Sequence, residues 1–303
     1  MFVERHLAEL RRDRYRPGAF LRYVRAALAH ARERALSNLA AVRSILFVGL
    51  VLFVATLASA ALVAVLVDPG LARRAFLWTM VGLVPMIVLT VLHVDLLRDR
   101  AGTPLDALGW PSAITLSRVA LVPAFLVFMH ERHFVLGFGV FVLAIVSDVL
   151  DGWVARRYRQ ETLFGGILDP LADILCSFWL FAGMMLGGLV PPALCVLATF
   201  RMLMLLAGGA WLHLTLGPVE IRSTVPGKLT GSVLTALVTA RLAFAAFDAG
   251  ALEGRLVPLV LDAIGVLLAF SIVTGYVSGW ANLRRLQRRQ KGAQVVTDVR
   301  FGA

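Results

Sequence analysis

Four aspartates, Asp148, Asp151, Asp169 and Asp173, stand inside otherwise apolar sequence, in the stretch from Ser147 to Asp173. A carboxylate in a membrane span is costly unless it faces a partner, an ion or a water-filled cavity, so such a group points first to a functional site. Asp148 and Asp151 are three residues apart and Asp169 and Asp173 four apart, spacings that put each pair on one helix face. If the chain turns around Arg159 to Thr162, both pairs lie at similar depth, about 10 to 20 Å along their helices from the turn, at roughly 1.5 Å per residue. Four converging carboxylates cannot all stay ionised without a cation. No His or Cys is placed to join them as a ligand, so the donor set suits Mg²⁺ or Mn²⁺ rather than Zn²⁺. Magnesium keeps coordination positions open for phosphate oxygens, which implies transfer at phosphorus.

Small residues beside the acids sharpen this reading. Gly152, with Ala155 about a turn on, clears a groove for a flat or bulky ligand, and Gly165 and Gly166 do the same on the facing helix. Arg156, one turn beyond Gly152, could hold a phosphate. Each element has a plainer reading: glycine and alanine serve helix packing, Arg156 is a topology charge, and Asp169 before Pro170 is a helix N-cap.

The elements that must carry these residues follow from composition. With 59% hydrophobic residues the chain is too apolar for a soluble domain and reads as an all-α polytopic membrane protein. Its apolar runs are too long and too little alternating for barrel strands. Eight runs are expected to span: about 44–67, 75–97, 112–130, 134–157, 165–187, 190–216, 227–247 and 256–282. The formal charge of +11 raises nucleic acid as a partner, but the arginines flank the apolar runs, where membrane lipids and topology explain them, so no nucleic acid is expected.

Residues 1–42 form a basic amphipathic cytoplasmic segment, interrupted at Pro17-Gly18. Residues 43–102 form an accessory transmembrane hairpin, turning at Asp68-Pro69-Gly70, with Arg73 and Arg74 in that external turn and His93 and Asp95 as interfacial residues. Residues 103–285 make the main membrane domain and 286–303 a basic, flexible tail. Eight crossings put both ends in the cytoplasm, with the aspartates near that face. Cys176 and Cys195 fall inside spans and are expected as free thiols. No cleaved signal peptide is expected. A cation transporter would also place acids in spans, but would need a polar path across the bilayer.

The run Asp148-x-x-Asp151-Gly152-x-x-Ala155-Arg156, then after eight residues Gly165-x-x-x-Asp169-x-x-x-Asp173, resembles the signature of the CDP-alcohol phosphotransferase family at every fixed position. Pro111 to Arg118 with Pro123 is similar to the family's first-helix pattern, with Ser112 where asparagine is usual, and the resemblance extends from about Pro111 to Leu283. It implies a six-helix membrane bundle, here preceded by the two-helix hairpin and the basic segment. It also implies a homodimer that transfers a substituted phosphate from a CDP-alcohol to an acceptor hydroxyl and releases CMP. By the same resemblance Asp148, Asp151 and Asp169 bind metal, and Asp173 is the general base that also touches metal. Asp148, Asp151, Gly152, Ala155, Arg156 and Gly165 line the CDP site, with Thr115 and Arg118 as further candidates.

Arg201, mid-span, with Arg222 and Lys228, could bind the phosphate of a small phosphorylated alcohol. The Gly165–Asp173 stretch and Gly227-Lys-Leu-Thr230 resemble glycerophosphate-using members such as phosphatidylglycerophosphate synthases, whereas Ile174 and Met202 depart from them. The expected activity is therefore transfer from CDP-diacylglycerol to a phosphorylated polyol, glycerol 3-phosphate favoured, in a bacterial cytoplasmic membrane. Inositol phosphate, an unphosphorylated alcohol and a lipid acceptor remain as alternatives.

Overall fold

The computed structural model describes residues 17–99, 101–158, 160, 162–216, 225–247 and 254–277. Among them the chain forms nine α-helices: α1 (Pro17–Ser37), α2 (Leu39–Leu66), α3 (Pro69–Leu92), α4 (Trp110–His130), α5 (Phe134–Tyr158), α6 (Leu163–Leu186), α7 (Pro192–Leu216), α8 (Val225–Ala246) and α9 (Gly254–Val277). A 3-10 turn, Val94–Leu96, follows α3. Seven helices, α2 to α6, α8 and α9, are long and apolar enough to cross a membrane. The eighth expected span is α7, whose apolar stretch among the described residues is Pro192–Gly208. The protein is an all-α polytopic membrane protein, because backbone groups within lipid must bond inside their own segment.

Caps fix where the first helices begin, and here the sequence expectation needs correction. Pro17 is the first residue of α1, since the fixed φ of proline suits a first helical turn, and the residues before it lie outside the described set. Asn38 separates α1 from α2 and caps the latter, its Oδ1 accepting the Ala41 N–H at 3.1 Å. Asp68 caps α3 with Pro69 in its first turn, so the helix starts there rather than near Ala75. Arg73 and Arg74 consequently lie on α3 and not in a turn. The helix ends at Leu92, with His93 Nδ1 2.8 Å from the Leu89 carbonyl oxygen, and the tighter turn Val94–Leu96 replaces its expected last residues.

The chain packs as two compact units. The first takes its residues from Met1–Phe128 and Gly139–Cys176. Its core joins Ile45 of α2, Met86 of α3, Leu97, Leu116 of α4, and Phe164 and Leu168 of α6. Helices α3 and α4 touch at Gly82, where a Cβ would stand 2.8 Å from Pro123 Cγ and 3.1 Å from the Val119 carbonyl oxygen. The second unit takes its residues from Met129–Phe138 and Ser177–Ala303 and buries Met184, Val238, Leu242, Ile264 and Leu268. In it Arg241 Nε donates to the Leu189 carbonyl at 3.0 Å, and Phe138 meets Phe247 edge-on at 5.3 Å. Cys176 and Cys195 are free thiols.

Candidate active site

Helix α5 ends at Tyr158 and α6 begins at Leu163, so the chain turns where the aspartate spacing requires. Thr162 caps the second helix, its Oγ1 accepting the Gly165 N–H at 2.9 Å. Asp169 and Pro170 lie inside α6, nearly two turns from its start, so Asp169 is not an N-cap. Asp148 and Asp151 occupy the last turns of α5, and all four acids belong to the first unit.

A third helix closes the group. Ser112, Thr115 and Arg118 recur every third residue of α4 and are all buried. The Thr115 hydroxyl lies 2.8 Å from Asp151 Oδ2, 3.3 Å from Asp169 Oδ1 and 3.1 Å from the Pro111 carbonyl oxygen. Its single proton can serve one of them at a time. The Arg118 guanidinium pairs through Nη1 with Asp148 and, at 3.2 Å, with Asp173, and through Nη2 with Asp151 at 3.4 Å. One hydroxyl and one guanidinium thus tie together all four acids that the sequence singled out. Side-chain exposure divides them: Asp151 is 9% exposed, against 53% for Asp148 and 62% for Asp173. Arg118 Nε is buried with no hydrogen-bond partner among the described residues.

Other expected residues gather at the same place. The Arg156 guanidinium lies over Gly152, where a Cβ would come within 3.3 Å of its Nη1. Gly165 faces α4, a Cβ there standing 3.2 Å from Thr162 Oγ1 and 3.7 Å from Ser112 Oγ. Ala155 is half-buried one turn below Gly152. Arg201 lies in the second unit, on α7, where its Nε donates to Ser271 Oγ at 2.6 Å. Lys228 lies near the start of α8, its side chain outside the described set, and Arg222 lies outside the described residues. Sequence reasoning missed Gln160 and Thr162, whose signal was only their place in the α5–α6 turn.

Among the described residues no three His, Cys, Asp or Glu side chains are spaced to share one metal ion, since the acids turn to Arg118 and Thr115. The donor set nevertheless fits a hard divalent cation. It offers carboxylate and hydroxyl oxygens alone, and one guanidinium against four acids leaves the group strongly anionic.

Residues 108–277, more than half of the 303, match the family model for CDP-alcohol phosphatidyltransferases. The chain belongs to the CDP-alcohol phosphatidyltransferase family. The match takes in α4 to α9 and leaves α1 to α3 outside. The chain is 34% identical over 98 residues to cardiolipin synthase (CMP-forming) of Homo sapiens, covering 32% of this chain and 33% of that protein. It is 41% identical over 68 residues to the CDP-diacylglycerol–glycerol-3-phosphate 3-phosphatidyltransferase of Pseudomonas fluorescens, covering 22% and 35%. The enzyme of the same name from Pectobacterium atrosepticum is 44% identical over 66 residues, covering 21% and 36%. The chain spans about a third of the length of these curated relatives. No solved structure matches the chain.

Proposed function

We propose that the protein transfers the phosphatidyl group of CDP-diacylglycerol to the hydroxyl of a phosphorylated polyol, glycerol 3-phosphate favoured, and releases CMP. The observation that carries this reading is the gathering of Asp148, Asp151, Asp169 and Asp173 around Arg118 and Thr115 inside the family-matched segment. Asp148, Asp151 and Asp169 would hold the divalent cation, Mg²⁺ or Mn²⁺, with Asp173 at its edge. When bound, such an ion offsets charge on the pyrophosphate and on the departing nucleotide.

The residues supply the rest. Asp173, the more exposed of the three acids on Arg118, takes the proton of the acceptor hydroxyl as its oxygen bonds to the phosphatidyl phosphorus. The bond from that phosphorus to the bridging oxygen breaks, and CMP leaves with the electron pair. Gly152, Ala155 and Gly165 leave room for the CDP moiety, and Arg156 over Gly152 is placed to receive a phosphate oxygen. Arg201, Arg222 and Lys228 are proposed for the acceptor's phosphate.

A lipid acceptor is the second reading, supported by the longer stretch of likeness to cardiolipin synthase. A panel of glycerol 3-phosphate, inositol phosphate, free alcohols and a lipid alcohol, each assayed for CMP release from CDP-diacylglycerol with Mg²⁺ or Mn²⁺, separates the readings. Turnover with glycerol 3-phosphate is the expected result, and release with the lipid alcohol alone would replace it with the second. We further propose a homodimer in a bacterial cytoplasmic membrane with the site on the cytoplasmic face; the basic α1 and Arg156 and Arg157 beside the acids support the orientation.

A further inference from the structure

The first two turns of α6 carry Gly165, Asp169 and, one turn on, Asp173, yet they are intrinsically weak. Gly165 and Gly166 are poor helix formers, and Pro170 lacks the N–H that would bond to the Gly166 carbonyl. A helix start also leaves its first amides without intrahelical partners. The Leu163 amide is satisfied from far away in sequence, by the Arg98 carbonyl at 3.1 Å, and Asp99 forms a β-bridge with Thr162 beside it. The Trp110 N–H likewise donates to Gln160 Oε1 at 3.3 Å.

The loop that provides these bonds is itself held. Leu105 N–H donates to the Leu97 carbonyl at 2.9 Å, and Arg98 donates to the carbonyls of Asp95 at 2.9 Å and Gly102 at 3.1 Å. Outside the loop, Asn38 Nδ2 donates to the Leu105 carbonyl at 3.0 Å, and Ser44 Oγ accepts the Leu108 N–H at 3.1 Å. Asn38 and Ser44 precede the family-matched residues by more than sixty positions, as does no other part of the site described above.

We propose that the segment before the family-matched region is a working part of the catalytic site: the α1–α2 corner, through Asn38 and Ser44, braces loop 97–109 so that it caps α6 and fixes the α6 acids. Asn38 and Ser44 are positioning residues; neither touches substrate. The proposal rests on the activity proposed above for its kinetic arm alone.

Asn38 permits a clean separation, because its two side-chain atoms do different work. Asn38→Asp keeps an oxygen to cap Ala41 and removes the donor to Leu105, whereas Asn38→Ala removes both. In the full chain in lipid nanodiscs, Asn38→Asp combined with Ser44→Ala is expected to speed hydrogen exchange at the amides of Leu163 to Gly166 about tenfold, with α2 unchanged. The kcat for CMP release should fall about tenfold while KM stays within about twofold, as misplacement of a reacting group predicts. Ser44→Thr alone, which keeps the acceptor oxygen, should leave both at their wild-type values. Wild-type exchange and kcat in the double variant would overturn the proposal. So would an Asn38→Asp protein like wild type beside a slow Asn38→Ala protein, since the residue would then be a helix cap only. Should the double variant fail to fold, Ser44→Ala alone is read by the same exchange measurement. If wild type releases no CMP with any acceptor, the proposed activity fails, and the exchange result still decides the brace.

Discussion

Arg118 meets three of the four carboxylates from a site that is almost wholly buried, and its Nε has no partner among the described residues. A buried cation with an unmet donor is retained only where its other bonds outweigh that loss. Arg118→Gln is therefore expected to lower stability in chelator by about 1–3 kcal/mol. Adding Mg²⁺ should then raise the melting temperature of the variant more than that of wild type, as thermal unfolding in both buffers would report. Equal melting in chelator would mean that Arg118 does not offset the acids. Asp173 calls for a different change. Asp173→Asn keeps shape and removes proton uptake, so CMP release should fall by about 10²–10⁴-fold while CDP-diacylglycerol binding survives. The acids were legible because three- and four-residue spacings mean one helix face. The partnership of Arg118 was not, since the sequence offered it as a nucleotide ligand. The clue lay in Ser112, Thr115 and Arg118 repeating every third residue of an apolar span.

Helix ends were legible where a cap is chemically strong and misread where turn residues can also start a helix. Asp68-Pro69-Gly70 read as a turn with the next helix starting near Ala75, yet proline in a first turn and an aspartate before it begin α3. Contacts between helices left less trace. Nothing in the spacing of Gly82 announces that α3 packs onto α4 there, because glycine in a span has several uses. Gly82→Ala would drive its Cβ into the rigid ring of Pro123 at 2.8 Å and the Val119 carbonyl at 3.1 Å. Overpacking of about 1–3 kcal/mol exceeds the gain in helix propensity of up to about 1 kcal/mol, so net destabilisation is expected. Gly139→Ala on α5, where a Cβ meets nothing within 4 Å, isolates the propensity gain and should be neutral or stabilising. Thermal unfolding of the pair tests the contact, and equal behaviour would remove it.

The whole molecule joins two kinds of information. Apolar length and helical period belong to each segment separately, so the run of spans could be read from the sequence. The bonds from Asn38 to Leu105 and from Leu163 to Arg98 join residues more than sixty apart with no periodic signal, so the link between the hairpin and the site could not. Orientation rests on charge. Arg156 and Arg157 close α5 beside the acids, whereas the turn at Glu131 between α4 and α5 is poorer in cations. Lysine and arginine accumulate on the cytoplasmic side, which is the ground for the orientation proposed above, with the site facing the cytoplasm. In a chain whose Cys176 and Cys195 are replaced by alanine, Glu131→Cys should react with a membrane-impermeant maleimide on intact cells. Arg157→Cys, exposed at the end of α5, should react only after permeabilisation. The reverse pattern would put the aspartates on the outer face, out of reach of a nucleotide-activated lipid made inside the cell, and would remove the proposed reaction along with the orientation.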